Sequence, residues 1–140
     1  LSRAPKKRKK VIFKDPFIFH AMNAWLKPSA SAFEDQIAPL LNNAEQQSKL
    51  VESVVISHFQ RHFDTYYINA EGEIDVAYIK DEKFWPVEIK WRNQLRPKDL
   101  KQICKYKNSV IYSKTKSQSD IQGVPIYPLP EALYEIGHTE

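Results

Sequence analysis

Gly72-Glu73-Ile74-Asp75-Val76-Ala77-Tyr78 and, a short turn later, Phe84-Trp85-Pro86-Val87-Glu88-Ile89-Lys90-Trp91 decide how this chain is read. Both stretches alternate with the period of two that belongs to a strand. Ile74, Val76 and Tyr78 take one face while Asp75 and Ala77 take the other. Trp85, Val87, Ile89 and Trp91 oppose Phe84, Glu88 and Lys90. The polar link Lys80-Asp81-Glu82-Lys83 is short enough for a hairpin. Folded in that way, the stretch brings Asp75 beside Glu88 and Lys90 on one face of a sheet.

Two carboxylates so placed repel each other, and one must take a proton at neutral pH unless a cation stands with them. A hard divalent ion such as Mg2+ meets that need, because it is held by one or two carboxylates with water and phosphate oxygens completing its shell. Asp75 and Glu88 are then the ligands. Lys90, aimed at the same place, can hold or activate an attacking water or stabilise charge growing on a phosphate oxygen. The plainer reading is a solvated strand face, which produces the D…E-x-K spacing by chance.

Glu52 bears on that choice. In the stretch expected to form a helix from Ala44 to Phe63, Glu52, Val55, Ile56, Phe59 and Phe63 stand at i, i+3, i+4, i+7 and i+11 and share one stripe. A carboxylate on an apolar face is costly unless it is paired or binds a metal. The alternative has Glu52 at the edge of the stripe, reaching solvent or a lysine.

Around this centre the chain reads in order as follows. Val11-Ile12-Phe13 is a short strand, and Asp15-Pro16 opens a helix that runs to about Trp25, with Asp15 as its N-cap and Pro16 in its first turn. Ser31 and Glu34 form a capping box for a second helix, which carries Phe33, Ile37, Leu40 and Leu41 at helical spacing and is bent or shortened by Pro39. After the Ala44 helix, Thr65–Ala70 is a strand that turns through Glu71-Gly72. Pro97–Asn108 is a helix, Ser109–Ser113 a strand, and Val124–Leu129 a final strand whose prolines suit a sheet edge.

At 140 residues the chain is long enough for one domain with a buried core. Residues 1–10 form a basic arm or linker with six basic side chains and no acidic one, resembling a nuclear localisation signal in composition. Residues 11–43 form an N-terminal helical extension, and 44–140 the core. The net charge of +4 comes from the arm, because 11–140 holds 15 basic against 17 acidic side chains. Within it, residues 88–116 hold nine basic against two acidic, so positive charge flanks Asp75 and Glu88 where a polyphosphate would lie. A solvated basic helix has the same composition.

The one cysteine, Cys104, excludes an intrachain disulfide and a cysteine-rich zinc site and fits an intracellular protein, and the expected location is cytoplasmic. His58 and His62 are one helical turn apart and lack a third ligand, so they read as ordinary boundary residues. No apolar run approaches the ~20 residues of a membrane span, and no signal peptide is evident. A start at Leu1 rather than Met suits a piece of a longer protein.

Asp75 followed by Glu88-Ile89-Lys90 resembles the signature of the PD-(D/E)XK nuclease superfamily, with Ile74 in place of the proline. The element order also matches that fold: an α/β, restriction-endonuclease-like core, α-β-β-β-α-β, with a mixed sheet flanked by helices. More narrowly, four pieces in order resemble the C-terminal domain of unknown function found behind AAA-type ATPase domains in bacteria and archaea. They are Asp15-Pro16-Phe17, Leu50–Val55, Gly72–Asp75 and Pro86–Lys90, and together they span about residues 8–130.

The resemblance implies a Mg2+- or Mn2+-dependent nuclease acting on DNA phosphodiesters. Asp75, Glu88 and the Ile89 carbonyl are the metal ligands, Glu52 completes the acidic cluster, and Lys90 positions the water. Gln102, on the following helix, is a further polar residue facing the site. Lys90, Arg92, Arg96, Lys98, Lys101 and Lys105 are the expected DNA contacts. The expected partners are DNA and an N-terminal ATPase region; a homo-oligomer is allowed and no membrane is involved. The chain has three glycines and no G-x-x-x-x-G-K-[ST], so it does not itself bind ATP through a P-loop.

Two other readings stand beside this one. The domain is a catalytically inactive docking module for DNA or protein, or an accessory that recognises a protein partner through Tyr66, Tyr67, Trp85 and Trp91. Those aromatics are otherwise core.

Overall fold

Thr65–Asn69 (β1), Glu73–Lys80 (β2), Lys83–Lys90 (β3), Val110–Ser113 (β4), Asp120–Ile121 (β5) and Val124–Pro128 (β6) form one mixed sheet in the order β1-β2-β3-β4-β6-β5. The computed structural model describes residues 10–69, 72–115 and 120–138. Most of the basic arm, Leu1–Lys9, lies outside the described residues, as do Ala70, Glu71 and Lys116. β1, β2 and β3 are antiparallel, β3-β4 and β4-β6 parallel, and β5 antiparallel to β6.

The β2–β3 hairpin closes through Asp81 and Glu82, both at positive φ (52° and 57°), as the tightest right-twisting turn requires. Side chains on the two faces make two cores. One joins Val76, Tyr78, Val87, Ile89, Val110 and Tyr112 to the helix Ala44–Phe59 and to the last helix; the other joins Ile111, Ile121, Val124 and Ile126 to Leu100 and Ile103.

Ile74 corrects the expected alternation. It belongs to the second core, whereas Val76 and Tyr78 belong to the first. The cause is a bulge. Tyr66 pairs with Ala77 but Ile68 with Ile74, so two steps along β1 match three along β2. One extra residue reverses the facing of everything before it.

The helices are Pro16–Leu26 (α1), Ala38–Leu41 (α2), Ala44–Phe59 (α3) and Leu129–His138 (α4). α1 begins as its sequence dictates, with Asp15 Oδ1 accepting from the Phe17 N–H at 2.8 Å. In the second helix Ser31 Oγ accepts from the Glu34 N–H, but Asp35 rather than Glu34 reaches back to the Ser31 N–H. The turn is wider than an α-turn: Phe33–Ile37 is a π-helix ahead of α2, next to Pro39, which has no N–H to give a regular ladder. Asn43 caps α3 by accepting from the Gln46 N–H. α3 ends at Phe59 rather than Phe63, although the Phe63 N–H still bonds the Phe59 carbonyl and its ring packs on Tyr78.

Four further expectations change. Val11–Phe13 forms no strand; Ile12 packs against the first core and the Phe13 carbonyl accepts from Ser57 Oγ. Pro97–Asn108 is not an α-helix but two 3-10 turns, Pro97–Leu100 and Ile103–Lys105. Leu100, Ile103, Cys104 and Tyr106 pack there, and the Lys105 and Tyr106 N–H groups bond the carbonyls of Gln102 and Ile103, three residues back, as in a 3-10 turn. β6 is not the edge, because the two-residue β5 lies outside it. Leu129 is the first residue of α4, whose packed residues Leu129, Ala132, Leu133 and Ile136 follow helical spacing. No helix among the described residues is long and apolar enough to cross a membrane.

Candidate metal centre

Where β2 bulges, it parts from β3. The ladder of this hairpin runs from Lys80↔Lys83 only as far as Val76↔Val87. The Ile89 N–H therefore turns to a side chain, and Asp75 Oδ2 accepts it at 2.8 Å. Asp75 becomes a mostly buried carboxylate between β2 and β3. Burial raises its pKa, against the opposing effects of the Ile89 N–H and the charges of Lys90 and Lys10.

Glu88 lies on β3 with only 9 % of its side chain exposed. Its Oε1 pairs with Lys90, two residues on and hence on the same face. Its Oε2 is buried and has no hydrogen-bond partner among the described residues. Burial first, then the charges of Asp75 and Glu52, lift its pKa to about 7, with Lys90 pulling the other way.

Glu52 comes from α3, one turn ahead of the buried Val55 and Ile56. The stripe that buries those residues carries Glu52 to the sheet beside Asp75. Burial and the Asp75 charge raise its pKa, opposed by Lys10.

Two residues complete the group that the sequence reading did not assign. Carboxylate oxygens of Glu52, Glu73 and Asp75 all lie within 4.8 Å of one another. Lys10 stands among them: its Nζ is paired with Glu52, is 3.0 Å from Glu73 Oε1 and 3.9 Å from Asp75 Oδ1, and lies 5.3 Å from the centre of the Tyr67 ring. Burial alone would lower the pKa of Lys10, but its bonds to Glu52 and Glu73 and the nearby carboxylate charges raise it overall. The spacing of Glu73 and Asp75, two apart on a strand, was the available signal for the former. Nothing local pointed to Lys10.

The other expected site residues scatter. Gln102 is packed against Gly72, where a β-carbon would collide with its side chain, so it meets the backbone just ahead of Glu73. Arg92, Arg96, Lys98, Lys101 and Lys105 are exposed on the segment after β3. Of the four aromatics, Trp85 and Trp91 pack against the first core and Tyr66 is exposed. His58 is held by the Leu133 carbonyl at 3.0 Å, and burial lowers its pKa.

A family model for a domain of unknown function, DUF4143, matches residues 47–132, more than half of the chain. The chain belongs to that family. The DUF4143 match includes Glu52, Glu73, Asp75, Glu88, Lys90 and Gln102, whereas Lys10 and α1 precede it. No curated protein and no solved structure matches the chain.

The donor set suits a hard divalent cation, since it consists of carboxylate oxygens. Ionised, Glu52, Glu73, Asp75 and Glu88 outnumber Lys10 and Lys90 by two charges, so the group carries negative charge that a cation would offset. The bare Oε2 of Glu88 is the kind of buried acceptor that a cation satisfies.

Proposed function

We propose that this domain is a metal-dependent nuclease of the PD-(D/E)XK kind that hydrolyses DNA phosphodiesters, with Mg2+ or Mn2+ as its ion. The observation that carries the reading is Glu88. It is a nearly buried carboxylate with one oxygen on Lys90 and the other without a hydrogen-bond partner among the described residues, within the electrostatic reach of Asp75 and Glu52. The mixed sheet, with antiparallel β1-β2-β3 continuing into parallel β4, supports the same fold assignment.

Asp75, Glu88 and the Ile89 carbonyl would hold the ion, with Glu52 completing the cluster. The ion would supply Lewis-acid stabilisation of the phosphate oxygens and favour deprotonation of the attacking water. Lys90 donates to Glu88 in the resting site, and its ammonium is placed to orient the water or to meet charge developing on phosphate. Asp75, held by the Ile89 N–H, keeps one oxygen fixed and the other turned toward the cluster. Exposed Arg92, Arg96, Lys98, Lys101 and Lys105 would receive the DNA backbone, and Gln102 would assist from beside Gly72. The fuller protein would be cytoplasmic and would join this domain to an AAA-type ATPase.

The test is cleavage of branched, single-stranded and duplex DNA in Mg2+ and in Mn2+ by the wild type, Asp75→Ala and Lys90→Ala. Metal-dependent cutting that disappears in both variants is expected. Equal cutting by all three, or none by the wild type, overturns catalysis by this chain.

A second reading, a non-catalytic docking module, is favoured by Lys10, which already satisfies much of the acidic cluster. Under it, the chain binds DNA in a salt-dependent way without metal-dependent cutting.

A further inference from the structure

We propose that Lys10 is an internal cation that fills the Glu52, Glu73 and Asp75 cluster and gives way to a divalent metal ion. The inference rests on reading these carboxylates as a metal centre and adds Glu73 to its ligands and Lys10 as its occupant.

The geometry is that of a cation in a carboxylate cage. Three carboxylates from two elements, α3 and β2, converge on one ammonium, and Tyr67 of β1 lies beside it. Surface ion pairs of lysine ordinarily involve one partner and are worth little. Here the Lys10 side chain is mostly withdrawn from water, 23 % exposed, and meets three carboxylates, of which Glu52 and Asp75 are mostly buried and Glu73 half-exposed. One positive charge also leaves the centre undercompensated. Glu88, outside that trio but within reach of the Asp75 and Glu52 charges, pairs one oxygen with Lys90 and has the other buried with no hydrogen-bond partner among the described residues. A divalent ion brings twice the charge and accepts several oxygens at once.

Residues 10–13 belong to no helix and no strand, so withdrawing Lys10 breaks no ladder and no helical turn. Ile12, packed against the first core, remains as the pivot. Metal loading is thereby coupled to the position of the segment entering the domain. Whatever draws Lys10 outward opens the centre.

The experiment uses the whole chain and two readouts besides cleavage. Mn2+ affinity is measured by titration calorimetry for wild type, Lys10→Met and Lys10→Arg. Acylation of Lys10 by an amine-reactive ester is followed by fragment mass spectrometry with and without saturating Mn2+. Displacement predicts that Lys10→Met binds Mn2+ at least about tenfold more tightly than wild type, while Lys10→Arg does not. It also predicts that Mn2+ raises labelling of Lys10 severalfold in the wild type and not in Asp75→Asn. If Mn2+ binds and Lys10 labelling stays unchanged, the displacement is overturned while the metal centre stands. If neither wild type nor Lys10→Met binds Mn2+, the metal centre itself is wrong and the proposal falls with it.

Discussion

Asp75 accepts the backbone N–H of Ile89 with Oδ2 at 2.8 Å, standing in for a strand partner that the bulge in β2 has moved away. The bond gives the residue a structural task separable from its chemistry. Asp75→Asn keeps an oxygen for the N–H and removes a charge that burial disfavours. It is expected to fold at least as stably as wild type at pH 7.5 and to lose metal-dependent cleavage. Asp75→Ala leaves a mostly buried N–H unsatisfied and should cost about 1–3 kcal/mol in urea unfolding. Equal stability of the two variants would show that the bond contributes nothing.

Glu88 makes stability depend on pH in a direction opposite to that of an ordinary salt-bridged carboxylate. Its folded pKa of about 7 lies above the usual 4.5, so between those values the native state binds more protons than the unfolded state. Stability should therefore fall as pH rises from about 4.5 to 7 and level off beyond it. Glu52 and Asp75, whose pKa values are also raised, add slope of the same sign. Denaturation midpoints between pH 5 and 8 should show a shallower decline in Glu88→Gln. Saturating Mn2+ should reduce the wild-type decline as well, since metal binding favours the ionised form.

Gly72 and Gln102 should be energetically coupled. A methyl group at Gly72 meets the side chain of Gln102, which must then leave its place. Gly72→Ala is expected to be destabilising in the wild type and nearly neutral once Gln102 is Ala. The coupling energy in a double-mutant cycle should be about 0.5–3 kcal/mol. Additive effects would mean that Gln102 moves aside at no cost.

Phe59 ties α3 to the sheet. It is fully buried, with its ring 4.8 Å from that of Tyr78 and 6.0 Å from that of Tyr112. Phe59→Ala should lose about 3–5 kcal/mol of stability. Because α3 also delivers Glu52, Mn2+ affinity should weaken in the same variant even under conditions where it remains folded.

Local rules carried much of this structure. The hairpin of β2 and β3, the Asp15-Pro16 start of α1, the Asn43-Ala44 start of α3 and the face that unites Glu52 with Val55, Ile56 and Phe59 follow from periods and caps that extend over a few residues. So does the pairing of Glu88 with Lys90, which needs only that the two lie on one strand face. The α4 helix was legible in the spacing of Leu129, Ala132, Leu133 and Ile136, but the proline-rich approach read as the end of a strand.

The tertiary structure decided what no local period contains. A bulge, set by the pairing of β1 with β2, turned Ile74 to the second core and left the Ile89 N–H for Asp75. Packing of α3 on the sheet brought Glu52 within ligand distance of Glu73 and Asp75. Lys10, 63 residues from Glu73 in the chain, reaches the same point on a segment whose Ile12 packs against the first core. The sequence by itself determined which side chains are acidic, which are apolar and how far apart they lie along each element. Strand register and long-range packing determined which charges meet, because an electrostatic centre depends on distance through space and not on separation along the chain.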